Sequence, residues 1–133
     1  SFFKLQYQFI KEGKVIDPRT IDFVFTYSIQ DTSDKFVASH IQGNIINLFI
    51  DDDKKQINVI FQNPKFDLGK LMVEYRFLVK DEDFISSIQN VYFGDYTNVK
   101  ITDNIQGVTK PNQFVTKINQ NNFSLDIIQT YGV

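Results

Sequence analysis

The chain has no cysteine and no tryptophan, and in 133 residues only one alanine (Ala38), one histidine (His40) and one methionine (Met72). Without cysteine there is no disulfide framework, no thiolate nucleophile and no thiolate metal ligand. One imidazole with no thiol leaves a zinc site to be assembled from carboxylates, so no metal is expected. An excess of positive charge is also missing: the formal net charge is −2, with both signs interspersed. The chain therefore lacks the basic face that displaces counterions from phosphates, and neither nucleic acid nor a membrane is expected as a partner. No stretch approaches the roughly 18–20 apolar residues of a membrane-crossing helix. Ser1 to Lys4 shows no basic region followed by an apolar one, the mark of an export signal. The six glycines are isolated, each near a predicted turn. No phosphate-cradling loop is present and no cofactor is expected.

What the chain has in quantity is aromatic and β-branched. Fourteen phenylalanines and six tyrosines accompany many isoleucines, side chains that fill a pleated surface well and gain little in helices. Part of this is codon bias, because residues of AT-rich codons (Phe, Tyr, Ile, Asn, Lys) far outnumber Gly, Ala, Arg and Pro. The length suits one domain spanning 1–133, large enough to bury a core.

Residues 2–10 alternate, with Phe3, Leu5, Tyr7 and Phe9 on one face and Lys4, Gln6 and Gln8 on the other. Glu12-Gly13 and Asp17-Pro18 are turn signals. Residues 21–30 place Phe23, Phe25, Tyr27 and Ile29 inward and Val24, Thr26 and Ser28 outward. A shorter strand covers 36–41. Asn44 to Val79 reads as a meander of three strands. The first, 44–50, is apolar enough to be buried on both faces. The second is 56–61, and the third is 70–80, with Leu71, Val73, Tyr75, Phe77 and Val79 on one side. Beyond it, Phe84, Ile85, Ile88, Val91 and Tyr92 fit a 3.6 period. A helix, a single helical turn or an irregular arm all agree with residues 81–90. Strands are predicted over 96–102, 113–119 and 123–131, and the polar stretch 103–122 reads as an extended arm or as part of the core. The whole predicts an all-β antiparallel sandwich of about seven to nine strands.

Chemistry finds few footholds. Asp51-Asp52-Asp53 lacks the alternate acids, central glycine and distant glutamate of a calcium loop, and reads as a solvated hairpin turn. Asp81-Glu82-Asp83 lacks the cleft-facing geometry of a carboxylate pair, since neighbours on a strand point to opposite faces. No nucleophile motif accompanies His40, which is expected at a surface or partner contact. Tyr92 and Tyr96 are candidates for stacking on a sugar or contacting a receptor. No catalytic residue is identified and no enzymatic activity is expected.

One stretch carries a resemblance. Asp22-Phe23-Val24-Phe25, the acidic turn after Phe49-Ile50, the strand Ile57-Asn58-Val59-Ile60-Phe61 and Leu68-Gly69-Lys70-Leu71-Met72-Val73-Glu74 together resemble a domain of structural proteins in tailed phages. These are the phages and prophages of gut Bacteroidales, crAss-like phages among them. The same stretch is similar to the N-terminal domain of phage baseplate upper proteins. The match spans about residues 20–100 and rests on hydrophobic and turn pattern, with Leu68 and Gly69 adjacent where the family separates them. It implies an immunoglobulin-like sandwich located in the virion: a capsid auxiliary or decoration protein, or the attachment domain of a head or tail fibre or baseplate. Its partners would be other virion proteins and further copies of itself, as a trimer. Fibre and baseplate proteins of this kind continue into long receptor-binding regions, whereas this sequence stops at Val133, which favours a small auxiliary protein or an attachment domain alone. The alternative is a carbohydrate- or receptor-binding module on a virion or bacterial surface.

Overall fold

The computed structural model describes residues 2–29, 35–39, 47–62, 69–80, 88–101, 113–120 and 123–132. Along these residues run ten strands: β1 (Phe2–Lys11), β2 (Lys14–Ile16), β3 (Asp22–Ile29), β4 (Lys35–Ser39), β5 (Leu48–Asp51), β6 (Gln56–Gln62), β7 (Gly69–Lys80), β8 (Ile88–Ile101), β9 (Gln113–Gln120) and β10 (Phe123–Gly132). Every pairing is antiparallel. One sheet runs β5-β6-β1-β10-β9, with β2 also on β1, and the other runs β4-β3-β7-β8.

The order follows a rule. Consecutive strands pair as hairpins, and successive hairpins are dealt alternately to the two sheets. Each hairpin has one greasy face and needs a second sheet to cover it, so alternation builds both layers of the sandwich together. The first and last strands then meet, from Lys4 opposite Gly132 to Ile10 opposite Asp126, which places the N-terminal strand in the middle of its sheet.

The two inward faces close on each other through aromatic rings. Phe9 meets Phe23 edge-on at 5.4 Å between centroids, Tyr7 meets Phe25 at 4.9 Å, and Tyr27 meets Phe61 at 4.9 Å. Phe77 and Phe123 also meet across the layers, at 5.2 Å. The first three are edge-to-face and the last is tilted; an edge-to-face pair adds about 0.5–1.5 kcal/mol beyond the area it buries. The inward residues read in β1, β3, β6 and β7 are buried: Phe3, Leu5, Tyr7 and Phe9, Phe23, Phe25, Tyr27 and Ile29, and Ile57, Val59, Phe61, Leu71, Val73, Tyr75 and Phe77.

The turns follow local chemistry. Glu12 and Gly13 both have positive φ, 52° and 77°, in a two-residue loop between the paired Lys11 and Lys14. That is the backbone whose twist matches a right-handed hairpin. Asp17 caps a 3-10 turn (Pro18–Thr20), its carboxylate accepting from the Arg19 amide at 3.0 Å, with proline at the start where no donor is needed.

The structure corrects four expectations. Asn44 to Val79 is not a three-stranded meander, because β5 and β6 pair in one sheet while β7 lies in the other. A hydrophobic pattern marks each strand without saying which sheet receives it. β5 is not buried on both faces: Leu48 is buried but Phe49 is 49% exposed, as an edge strand with one free face allows. Val24, expected outward and solvated, is buried, because β3 is a central strand and Arg76 stands directly opposite it; the stems of such long side chains cover apolar surface. Finally, Ile88, Val91 and Tyr92 belong to β8, not a helix. Pairing with the whole length of β7 outweighs a weak 3.6 period in a run rich in β-branched and aromatic residues. Of the stretch 103–122, Gln113–Gln120 is β9, hydrogen-bonded to β10 and part of the sheet rather than an arm.

Candidate functional site

The interior holds a small polar cluster inside the aromatic core. The Tyr27 hydroxyl donates to that of Tyr7 at 2.9 Å, both residues fully buried. Tyr75 packs edge-on against Tyr7, their rings 6.1 Å apart. Gln129, also buried, lies opposite Tyr7 on β10. Burial pushes both Tyr7 and Tyr27 well above the ordinary tyrosine pKa, and each feels its neighbouring phenol. Tyr7 and Tyr27 therefore stay neutral at physiological pH, and one hydrogen bond orients their hydroxyls.

The solvent face of the six-stranded sheet is laid with amides. Gln6 Nε2 donates to Asn58 Oδ1 at 2.9 Å and to Gln56 Oε1 at 3.2 Å, while the Thr130 hydroxyl donates to Gln6 Oε1 at 3.4 Å. Gln8 reaches the backbone carbonyl of Lys54 at 2.9 Å, tying β1 to the β5–β6 turn. Asn58 is buried in this network, and Phe49 stands opposite it in register. An exposed ring beside a neutral amide row is a surface without net charge.

The triple aspartate behaves as a turn. Asp51 Oδ1 accepts from the Lys54 amide at 3.2 Å, and Lys55 closes the loop at φ 50°. Asp52 pairs with Arg19, which also lies 4.0 Å from Asp17, so the acidic turn is tied to the 3-10 turn through one guanidinium. Among the described residues no group of three or more His, Asp or Glu stands close enough to hold a metal ion. A cleft of about 100 Å³ beside the β1–β2 turn is lined by Ile10, Lys11, Glu12, Ser124 and Asp126.

Of the residues singled out in the sequence, Tyr92 and Tyr96 both fall on β8, at register positions opposite Arg76 and Met72. They come mid-strand on an outer strand, not at a loop-end groove. His40 and Asp81-Glu82-Asp83 lie outside the described residues.

The reading of single strands missed a different set. Among the described residues three large apolar side chains are exposed: Val37 at 37%, Phe49 at 49% and Val115 at 46%. They sit on β4, β5 and β9, each the terminal strand in its sheet order. Nothing in the local pattern marks them, because an apolar residue on a strand reads the same whether a neighbour covers it or not. No family model matches this chain, nor does any curated protein or solved structure.

Proposed function

We propose that this chain is a non-enzymatic structural component of a tailed-phage virion: a capsid auxiliary or decoration protein, or an attachment domain of a head or tail fibre or baseplate. It works by protein–protein contact with other virion proteins and with copies of itself. An immunoglobulin-like ancestry within the sandwich class belongs to the same reading. The observation that carries it is the concentration of exposed apolar side chains on terminal strands, at Val37, Phe49 and Val115. Sheet edges are where a neighbouring chain adds hydrogen bonds, and apolar residues there gain most from being covered. The resemblance around Asp22–Phe25 and Leu68–Glu74 supports the same conclusion. In a particle, many copies turn modest contacts into firm attachment.

Cosedimentation tests it. The full chain is mixed with phage particles from a host that carries its gene, and with particles lacking it. Saturable binding in stoichiometric copy number to the depleted particles is the expected outcome. Indifference to both, together with flanking genes that encode no capsid, portal or tail protein, overturns the reading.

A second reading, a carbohydrate- or receptor-binding module, draws on Phe49 beside Gln6, Gln56 and Asn58. Aromatic faces and amides suit neutral sugars. Glycan-array binding lost in Phe49→Ala, or in Tyr92→Ala and Tyr96→Ala, would favour it.

A further inference from the structure

The geometry points to the β9 edge as a homotypic interface: two copies of this chain pair β9 with β9 antiparallel about a twofold axis through Thr116. The inference rests on the assembly reading above and names the strand and the partner.

Among the described residues β9 has β10 as its one strand neighbour, and β8 has β7. These two terminal strands approach each other across the gap between the sheets, so one side of the sandwich presents two edges together. The terminal strands in the other sheet positions are short, with five residues in β4 and four in β5. β9 has eight residues and β8 fourteen. Proteins blunt unused edges with proline, clustered charge, bulges or short strands. β9 uses none of these. It contains no proline and one charge, Lys117, and it pairs with β10 without a register break. Its solvent-facing residues Gln113, Val115, Lys117 and Asn119 are all exposed.

Two edges from two sheets, with Cα atoms within 8 Å of each other, fit a partner that offers two edges at the same spacing. A lone extended peptide satisfies only one of them. A second copy of this chain carries the matching pair.

The pleat then restricts the register, because inward residues must meet inward residues. With Thr116 on the axis, Val115 faces Lys117 of the other copy, Gln113 faces Asn119, and Phe114 faces Ile118. This uses nearly the whole strand and sets no like charges together. An axis through Lys117 would oppose two lysines. An axis through Val115 leaves Ile118, Asn119 and Gln120 beyond the partner's strand. The pairing is isologous and closes at two copies, so the repeating unit is a dimer and not the trimer that the phage resemblance implies.

Analytical ultracentrifugation of the full chain over a concentration series tests this, with Val115→Lys and Val115→Glu beside the wild type. Val115 is exposed, so neither variant disturbs the core, and circular dichroism checks this. Val115→Lys sets two lysine pairs across the axis and is expected to weaken the dimer roughly three- to tenfold. Val115→Glu sets two Glu–Lys pairs and is expected to tighten it by a similar factor. Opposite responses to the two charges support the inference. A monomer at every concentration overturns it, as do equal affinities or weakening by both variants. Particle cosedimentation decides the virion role separately: a monomer that binds particles sinks only the β9 pairing, and a charge-responsive dimer that ignores particles sinks only the virion role.

Discussion

The buried tyrosines allow a stability test whose magnitudes follow from their hydrogen bonds. The Tyr27 hydroxyl donates to that of Tyr7 at 2.9 Å, with both residues buried. A buried hydrogen bond contributes about 0.5–1.5 kcal/mol net, and a partner left wholly unsatisfied costs more. Tyr27→Phe removes this bond, so the expected loss is about 1 kcal/mol. Tyr7→Phe removes the same bond from its other side, so about 1 kcal/mol is expected there too. The double variant has no Tyr7–Tyr27 bond left to lose, and its cost should be close to that of Tyr7→Phe alone, a coupling of about 1 kcal/mol. Urea unfolding followed by circular dichroism measures all four corners of the cycle. Equal m-values would show that the denatured state is unchanged. Additive losses would refute this account of the pair.

Alkaline pH should act through the same groups. Tyr7 and Tyr27 titrate higher folded than unfolded, so their neutral forms sustain full stability below the unfolded tyrosine pKa of about 10. Above it the unfolded chain releases protons first, and stability should fall by up to roughly 1.4 kcal/mol per pH unit for each tyrosine; unfolding titrations at fixed temperature would detect a flat response as failure. Gly69 has φ 141°, and a Cβ there would lie 2.9 Å from the Ile29 Cγ2 methyl, so Gly69→Ala should destabilise by about 1–3 kcal/mol in thermal melts. Glu12 sits at φ 52° in the β1–β2 turn. Glu12→Asn should stabilise by a few tenths to about 1 kcal/mol, because asparagine tolerates that region better; a lower midpoint would contradict the turn assignment.

The sequence by itself determined the strands and the inward side of most of them. Alternation of period two is a local property, so Phe3 to Phe9, Phe23 to Ile29 and Leu71 to Phe77 could be assigned to the core without knowing their neighbours. The turn residues were equally local: Gly13 beside Glu12, Pro18 after Asp17, and the aspartates of the β5–β6 turn. Only the tertiary structure decided which strands share a sheet. It split β6 from β7, joined β1 to β10, drew Ile88 to Ile101 into one strand, and buried Val24 on the face expected to be wet. It also chose which strands end each sheet, and therefore left Phe49 and Val115 uncovered. Pairing and burial depend on residues far away in the chain. The pattern within a strand records what its side chains prefer, and the partner that satisfies them comes from elsewhere in the fold.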